Sequence, residues 1–256
     1  MFVRTAALAV LLVAPGYAQA PARTAPQTAA ETLPDGRALI DKHVKAIGGR
    51  TALLGHKSLQ VKGTLSIPAS GITGPIEIFA AANPNRVIVK TLVPGIGEIM
   101  EGFDGSHAWM MSPMTGPMLK VNKELTQAKL DADFYSELRD SKTYPTVKTV
   151  EKTTFDGRPC YKVQLQRVDG IEDFDFYDAA TGLRAGSINT RESPMGTMTV
   201  TTVSGGYKKF GDMLVPTSQS QKIMQIEQTI TVTSVEFDKV DPAVFAPPDA
   251  IKALIK

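Results

Sequence analysis

The sequence predicts a mainly β (α+β) protein: one large antiparallel sheet, curled on itself, with a helix ahead of it and a second helix inserted midway. Three observations carry this. Beyond residue 58, apolar and polar residues alternate along stretch after stretch, the period of a half-buried strand. Turn pairs such as Asp104-Gly105, Asp156-Gly157, Thr181-Gly182 and Gly211-Asp212 separate these stretches at short spacing, as in a meander rather than in β-α-β units. Helical periodicity is confined to the segment before the first strand, to residues 122–138 and to a short C-terminal piece.

Residues 1–20 combine one basic residue (Arg4), an apolar run from Ala6 to Val13 and the small-residue site Ala18-Gln19-Ala20. That order is a secretory signal peptide, and its run is shorter than the ~20 residues that span a bilayer. The mature chain is therefore expected in a bacterial periplasm, which argues against ATP- and nicotinamide-dependent chemistry. Residues 21–35, rich in Ala, Thr and Pro, have almost nothing to bury and read as a disordered linker. The rest, 36–256, reads as a single domain.

Asp35 is placed to cap a helix from about Arg37 to Ile47, with Leu39, Ile40, His43, Val44 and Ile47 on one face and Gly48-Gly49 ending it. A short turn of helix follows at 51–54. Strands are predicted at 59–67, around 76–80, and at 86–92, 97–103, 107–112, 146–153, 160–168, 172–178, 183–190, 196–204, 213–220 and 223–237. Asn122 is expected to cap the inserted helix, which carries Leu130, Phe134 and Leu138 at i, i+4 and i+8. A final helix is expected at 247–255. Tyr161, Val163, Leu165, Phe174, Phe176, Ile230 and Val232 read as apolar inner faces, whereas Asp173 and Asp175 read as a solvated outer face. So many strands cannot stay flat; twist curls them and turns the apolar faces inward.

Composition is that of a globular protein with a sizeable core: 43% apolar and 21% charged residues. Losing Arg4 with the signal peptide takes the formal charge from +2 to +1. No basic run stands out, which speaks against nucleic acid as a partner. Cys160 is the only cysteine, so no internal disulfide supports the fold. No other segment suggests stable membrane insertion.

Catalytic motifs are absent: there is no G-x-S-x-G, H-E-x-x-H or C-x-x-C. His43, His56 and His107 are scattered, and Cys160 has no activating neighbour in sequence. The sequence therefore predicts neither an enzyme nor a cofactor. One cluster stands out: His107, Met110, Met111, Met114 and Met118 within twelve positions. Thioethers suit Cu(I), but methionine is also the adaptable lining of apolar sites.

Three local motifs resemble those of the LolA-like carriers, which sort lipoproteins to the bacterial outer membrane. Asn83-Pro84-Asn85-Arg86-Val87 is similar to their early hairpin. Phe103-Asp104-Gly105, followed by Trp109, resembles their D-G-x-x-x-W hairpin, and Asp178 to Leu183 is similar to their D-x-x-[TS]-G turn. The resemblance spans about residues 36–250. It implies an incomplete antiparallel β-barrel closed by helices around a cavity for acyl chains. The chain departs at Asn83, where the founding carriers have an arginine that ties the lid shut; Arg86 lies three positions on.

The expected function is non-catalytic binding of a lipid or a lipoprotein acyl chain, with lipoprotein sorting as its specific form. Burying a methylene is worth ~0.8 kcal/mol, so a soluble protein must hold an acyl chain in a closed apolar hollow. The expected wall is Val61, Leu65, Ile78, Val87, Val89, Trp109, Met111, Tyr161, Val163, Leu165, Phe174, Phe176, Met198, Val200, Ile230 and Val232. The expected lid, loosely packed so that it can open, carries Leu39, Ile40, Val44 and Ile47. Two other readings stand beside this one: an envelope sensor or structural module that binds a protein partner, and a Cu(I)-binding protein using the 107–118 cluster.

Overall fold

The computed structural model describes residues 32–193 and 196–255; the signal peptide expected at 1–20 and most of the linker expected at 21–35 lie outside them. Residue 33 onward forms one compact unit. It opens with α1 (Gly36–Ala46), whose N-cap is Asp35: its carboxylate accepts the Ala38 N–H at 2.9 Å. Gly48 ends the helix with φ +134°, and a Cβ there would strike the Asp212 carbonyl. The short α2 (Arg50–Gly55) follows.

Thirteen strands then form one antiparallel sheet among the described residues. Its first arm contains β1 (Ser58–Ile67), β2 (Ile72–Ala81), β3 (Arg86–Val93), β4 (Gly97–Phe103), β5 (Ala108–Ser112) and β6 (Gly116–Lys120). Its second arm contains β7 (Thr146–Phe155), β8 (Arg158–Gln166), β9 (Glu172–Asp178), β10 (Arg184–Ser193) and β11 (Gly196–Gly205). A two-stranded ribbon of β12 (Lys208–Phe210) and β13 (Met213–Val215) stands apart. The last strands, β14 (Ser218–Ile223) and β15 (Ile226–Phe237), join the arms by inserting between β11 and β1. The order runs β6-β5-β4-β3-β2-β1-β15-β14-β11-β10-β9-β8-β7, with no pairing between its ends. The sheet is thus an unclosed barrel.

The predicted strand at 213–220 is two elements. Pro216 has no N–H to give a ladder, so β13 ends there, pairs with β12 and leaves the large sheet. The inserted helix is α3 (Asn122–Asp131); its N-cap is Val121, with no side-chain cap, and Asn122 itself sits at φ +52°. It stops well before Leu138. Asp133 accepts the Tyr135 N–H with its own carboxylate, closing a turn that competes with the helix, and a 3-10 turn follows at Ser136–Leu138. The C-terminal segment forms a 3-10 turn at Pro242–Phe245 and the one-turn α4 (Asp249–Lys252) rather than a helix over 247–255.

Antiparallel connections alternate between the two ends of the sheet. The turns at 82–85, 104–107, 156–157 and 179–182 share one end with α2 and the β12–β13 ribbon, the helical end. The connections at 68–71, 94–96, 113–115, 167–171 and 224–225 share the other, the hairpin end.

Candidate functional site

Register decides which side chains face the hollow. Leu59 and Val61 of β1 pair with Ala80 and Ile78 of β2, which pair with Val87 and Val89 of β3, so these six share the concave face. Across β1, Val61 pairs with Val235 and Leu65 with Ile230, and a bulge at Lys62/Gly63 brings Val232 to the same side. On the second arm Met198 and Val200 of β11 also point inward, beside Arg191 and Asn189 of β10. All of these except Val200 are only half-buried.

A cavity of about 410 Å3 lies between this face and the helical elements. Val61, Ile78, Val87, Ile47, Val235 and Phe237 line it, and residues 131–134 and the β12–β13 ribbon close it. A second cavity, about 490 Å3, runs along α3 and shares Val87 and Asp131 with the first; Val89 and Met198 line it from opposite arms. Both volumes fall in the ~300–1,000 Å3 range of small-molecule sites. Leu65, Ile230 and Val232 lie outside both linings, farther toward the hairpin end.

The second arm is filled where α1 lies on β7 to β9. Leu39, Ile40 and Val44 of α1 are 5%, 1% and 4% exposed and form a core with Val163, Leu165 and Tyr177, against which Tyr161 packs. The loose packing expected under α1 is therefore not found; of the four expected lid residues only Ile47 lines the cavity, beside His43. The element that crosses the hollow without burying any residue of its own is α3. Leu125 and Ala128 rest on Phe103, Ala108 and Val87, and Ala132, just past the helix, is its buried anchor.

Four expected wall residues lie on the wrong side. Val163 pairs with Asp175 and Leu165 with Asp173, so the two aspartates face the helix and Phe174 and Phe176 face outward. There the phenylalanines pack with Phe155, Cys160, Ala185 and Ile188. The expectation of a solvated Asp173-Asp175 face is overturned: they are 2% and 0% exposed. Both faces of β9 are buried, so alternation alone could not say which faced in. Trp109 and Met111 also lie on the convex face, under Phe245 and Ile251. Trp109 lies across Gly102, where a Cβ would come within 2.5 Å of the indole.

Asp175 is inside because a cation meets it. Arg139 Nε donates to Asp175 Oδ2 at 2.7 Å and its Nη2 to Oδ1 at 3.0 Å, a bidentate pair, and the Tyr177 hydroxyl donates to Oδ2 at 3.0 Å. Arg184 Nη2 donates to Glu137 Oε1 at 2.7 Å. His43 Nδ1 accepts the Arg184 N–H at 3.1 Å, so its Nε2 carries the proton and donates to Glu137 Oε2 at 3.1 Å. Burial pushes Glu137 and Asp175 upward, but Arg184 and His43 hold the first, and Arg139 the second, below the ordinary carboxylate range. Asp173 lacks such a strong partner, and burial raises it. Arg37 of α1 donates to the carbonyls of Arg139 and Tyr144. Arg191 Nη1 ties α3 to β10 through Asp131 Oδ2 at 2.5 Å.

This network fastens the helices to the second arm; at the position where the resemblance leads one to expect an arginine that ties the lid shut, the chain has Asn83. Arg86 does not supply that tie. Its guanidinium stacks 4.5 Å from the Phe245 ring on the convex side. Nothing in the local sequence around Arg139 or Asp175 marks the partnership, which spans 36 positions.

At the helical end His56 stacks on Phe237 and bridges two carboxylates: Nδ1 to Asp238 Oδ2 at 2.6 Å and Nε2 to Asp212 Oδ1 at 2.8 Å. Burial lowers its affinity for a proton, but Asp238 and Asp212 outweigh that and raise its pKa. The methionine cluster is dispersed. Met110 and Met118 pair on the concave face, Met111 faces the convex side, Met114 sits at a hairpin tip, and His107 lies at the opposite end beside Asp104. Strand alternation thus keeps the four thioethers and His107 from meeting at one point. Among the described residues no three of His, Cys, Asp and Glu are grouped to hold a metal ion, and no helix is long and apolar enough to cross a membrane.

No family model and no curated protein matches the sequence. Solved structures do. A DUF1329 family protein from Desulfovibrio piger superposes with a TM-score of 0.56 at 9% identity, over 83% of this chain and 97% of that one. A LolA superfamily protein from Nitrosomonas europaea superposes with a TM-score of 0.53 at 11% identity, over 84% of this chain and 99% of that one. The fold of this chain is therefore LolA-like: an incomplete antiparallel barrel, curled over a hollow and crossed by helices.

Proposed function

We propose that the protein is a non-catalytic carrier of a lipid or a lipoprotein acyl chain, exported to the periplasm by the segment at 1–20, with lipoprotein sorting as its specific role. The observation that carries this reading is the half-buried apolar lining of the 410 Å3 cavity by Val61, Ile78 and Val87. Apolar side chains on the inner face of a sheet ordinarily fill a core, and leaving them short of neighbours costs stability. A guest chain would supply the missing packing. At ~0.8 kcal/mol per methylene, a fully buried 16-carbon chain gains roughly 10 kcal/mol before ordering costs are subtracted. The LolA-like fold supports the same reading, and α3, with no buried residue of its own, is the element suited to swing aside.

The test is direct. Native mass spectrometry of protein taken from cells should show co-purifying fatty acid or phospholipid. A fluorescent fatty acid should bind the purified protein and be displaced by unlabelled lipid. Ile78→Trp, which fills the cavity, should reduce binding about tenfold or more while the protein stays folded. A folded wild-type protein that neither carries nor binds lipid would point instead to a module that recognises a protein partner.

A further inference from the structure

The nine large apolar side chains most exposed among the described residues are not scattered evenly. Five of them, Leu92, Met114, Val168, Met224 and Ile226, belong to the hairpin end of the sheet. The three most exposed, Met114 at 74%, Met224 at 71% and Val168 at 69%, each sit within a connection there: 113–115, 224–225 and 167–171. The opposite end is built differently. Its turns present Asp104, His107, Asp156, Asp178 and Asp212, several folded back on their own backbone N–H groups.

We infer that the hairpin end docks on the surface of a lipid bilayer. The tips come from connections β3–β4, β5–β6, β8–β9 and β14–β15, which span the sheet from one arm to the other. Apolar tips carried on four separate connections at one end of a sheet can meet a lipid surface together. Charges of both signs flank them. Lys222 stands opposite Glu227 across the β14–β15 hairpin, and Arg167 pairs with Asp169 at 2.5 Å beside Val168. Such a rim matches head groups that carry both signs and gains little from a strongly anionic membrane. The apolar floor of the hollow also runs toward this end, through half-buried Leu65, Ile230 and Val232. A chain leaving the hollow there passes into the membrane without crossing water. This last step deepens the carrier reading and rests on it; the docking itself does not.

Flotation with vesicles of phosphatidylethanolamine and phosphatidylglycerol, with no lipid probe added, tests the inference. The wild-type protein should float with the vesicles and keep floating when salt is raised. A Met114→Asp, Met224→Asp, Ile226→Asp variant should lose about tenfold or more in vesicle affinity per tip that is fully immersed. Its thermal midpoint should stay near wild type, because all three side chains are exposed. Leu254→Asp, an exposed apolar residue of the C-terminal segment, should float as wild type does. A wild-type protein that stays in the dense fraction overturns the inference, as does a triple variant that floats as well as wild type or a Leu254→Asp variant that loses binding equally. Ile78→Trp separates the two readings: it should lose the fluorescent fatty acid yet still float.

Discussion

The two arms of the sheet share one concave face, yet they are finished in opposite ways. On β7 to β9 of the second arm, α1 fills the concavity. Leu39, Ile40 and Val44 interlock with Val163, Leu165 and Tyr177, and the ion pairs of Arg139 and Arg184 lie beside them. On β1 to β3 of the first arm, Val61, Ile78, Val87 and Val89 face space, covered by α3, residues 131–134 and the β12–β13 ribbon. The difference teaches a division of labour. One arm holds the molecule together and anchors the helices. The other is left short of neighbours, which is what a site for a guest requires.

By that division, the largest effect of any single change belongs to the filled arm. Arg139→Ala leaves Asp175 buried and unpaired, and should lower stability by about 3–5 kcal/mol in chemical denaturation. A loss under about 1 kcal/mol would show that the anchor is not where the geometry puts it. Next in size is a pair of truncations. Leu165→Ala, at a position with 0% exposure, should cost about 2–5 kcal/mol. Ile78→Ala, facing the hollow, should cost far less but weaken the fluorescent fatty acid. Equal stability losses would erase the contrast between the arms.

A smaller effect concerns the helical end, where His56 joins α2 to the ribbon and to the end of β15. Neutral imidazole has one N–H and cannot donate to both Asp212 and Asp238, so the bridge needs the charged form. Because the His56 pKa is raised in the folded protein, its stabilisation is complete below the unfolded value of about 6.5 and is lost as pH rises through the folded value. The thermal-midpoint gap between wild type and His56→Gln should therefore be widest in mild acid and shrink in alkali. A gap that widens with pH would contradict the bridge. The smallest effect is expected on the convex face: Phe174→Ala should leave probe binding within about twofold of wild type, since Phe174 faces away from the hollow. A large loss there would mean that the ligand does not lie in the concavity.

The sequence made most of the strands legible because each carries its own period and its own turns. The β4 and β9 spans predicted from alternation match the structure residue for residue, and Asp35 caps α1 as its spacing implied. Alternation failed in β5 and β9, which are buried on both faces. In β9 an aspartate pair looked solvated because nothing nearby announced Arg139, and in β5 a tryptophan looked like cavity wall because its cover arrives from residues 245–251. The Asn122 helix ended early for a local reason, the turn at Asp133, that a helical period of apolar residues concealed.

What the sequence determined by itself was the order of elements, the antiparallel character of the sheet and the apolar character of its faces, since these follow from nearest-neighbour sterics and period. Tertiary structure alone decided which face became concave, which aspartates could be buried and which side chains were left facing space. Those outcomes depend on partners tens of residues away, whose charge or bulk must arrive before burial becomes favourable.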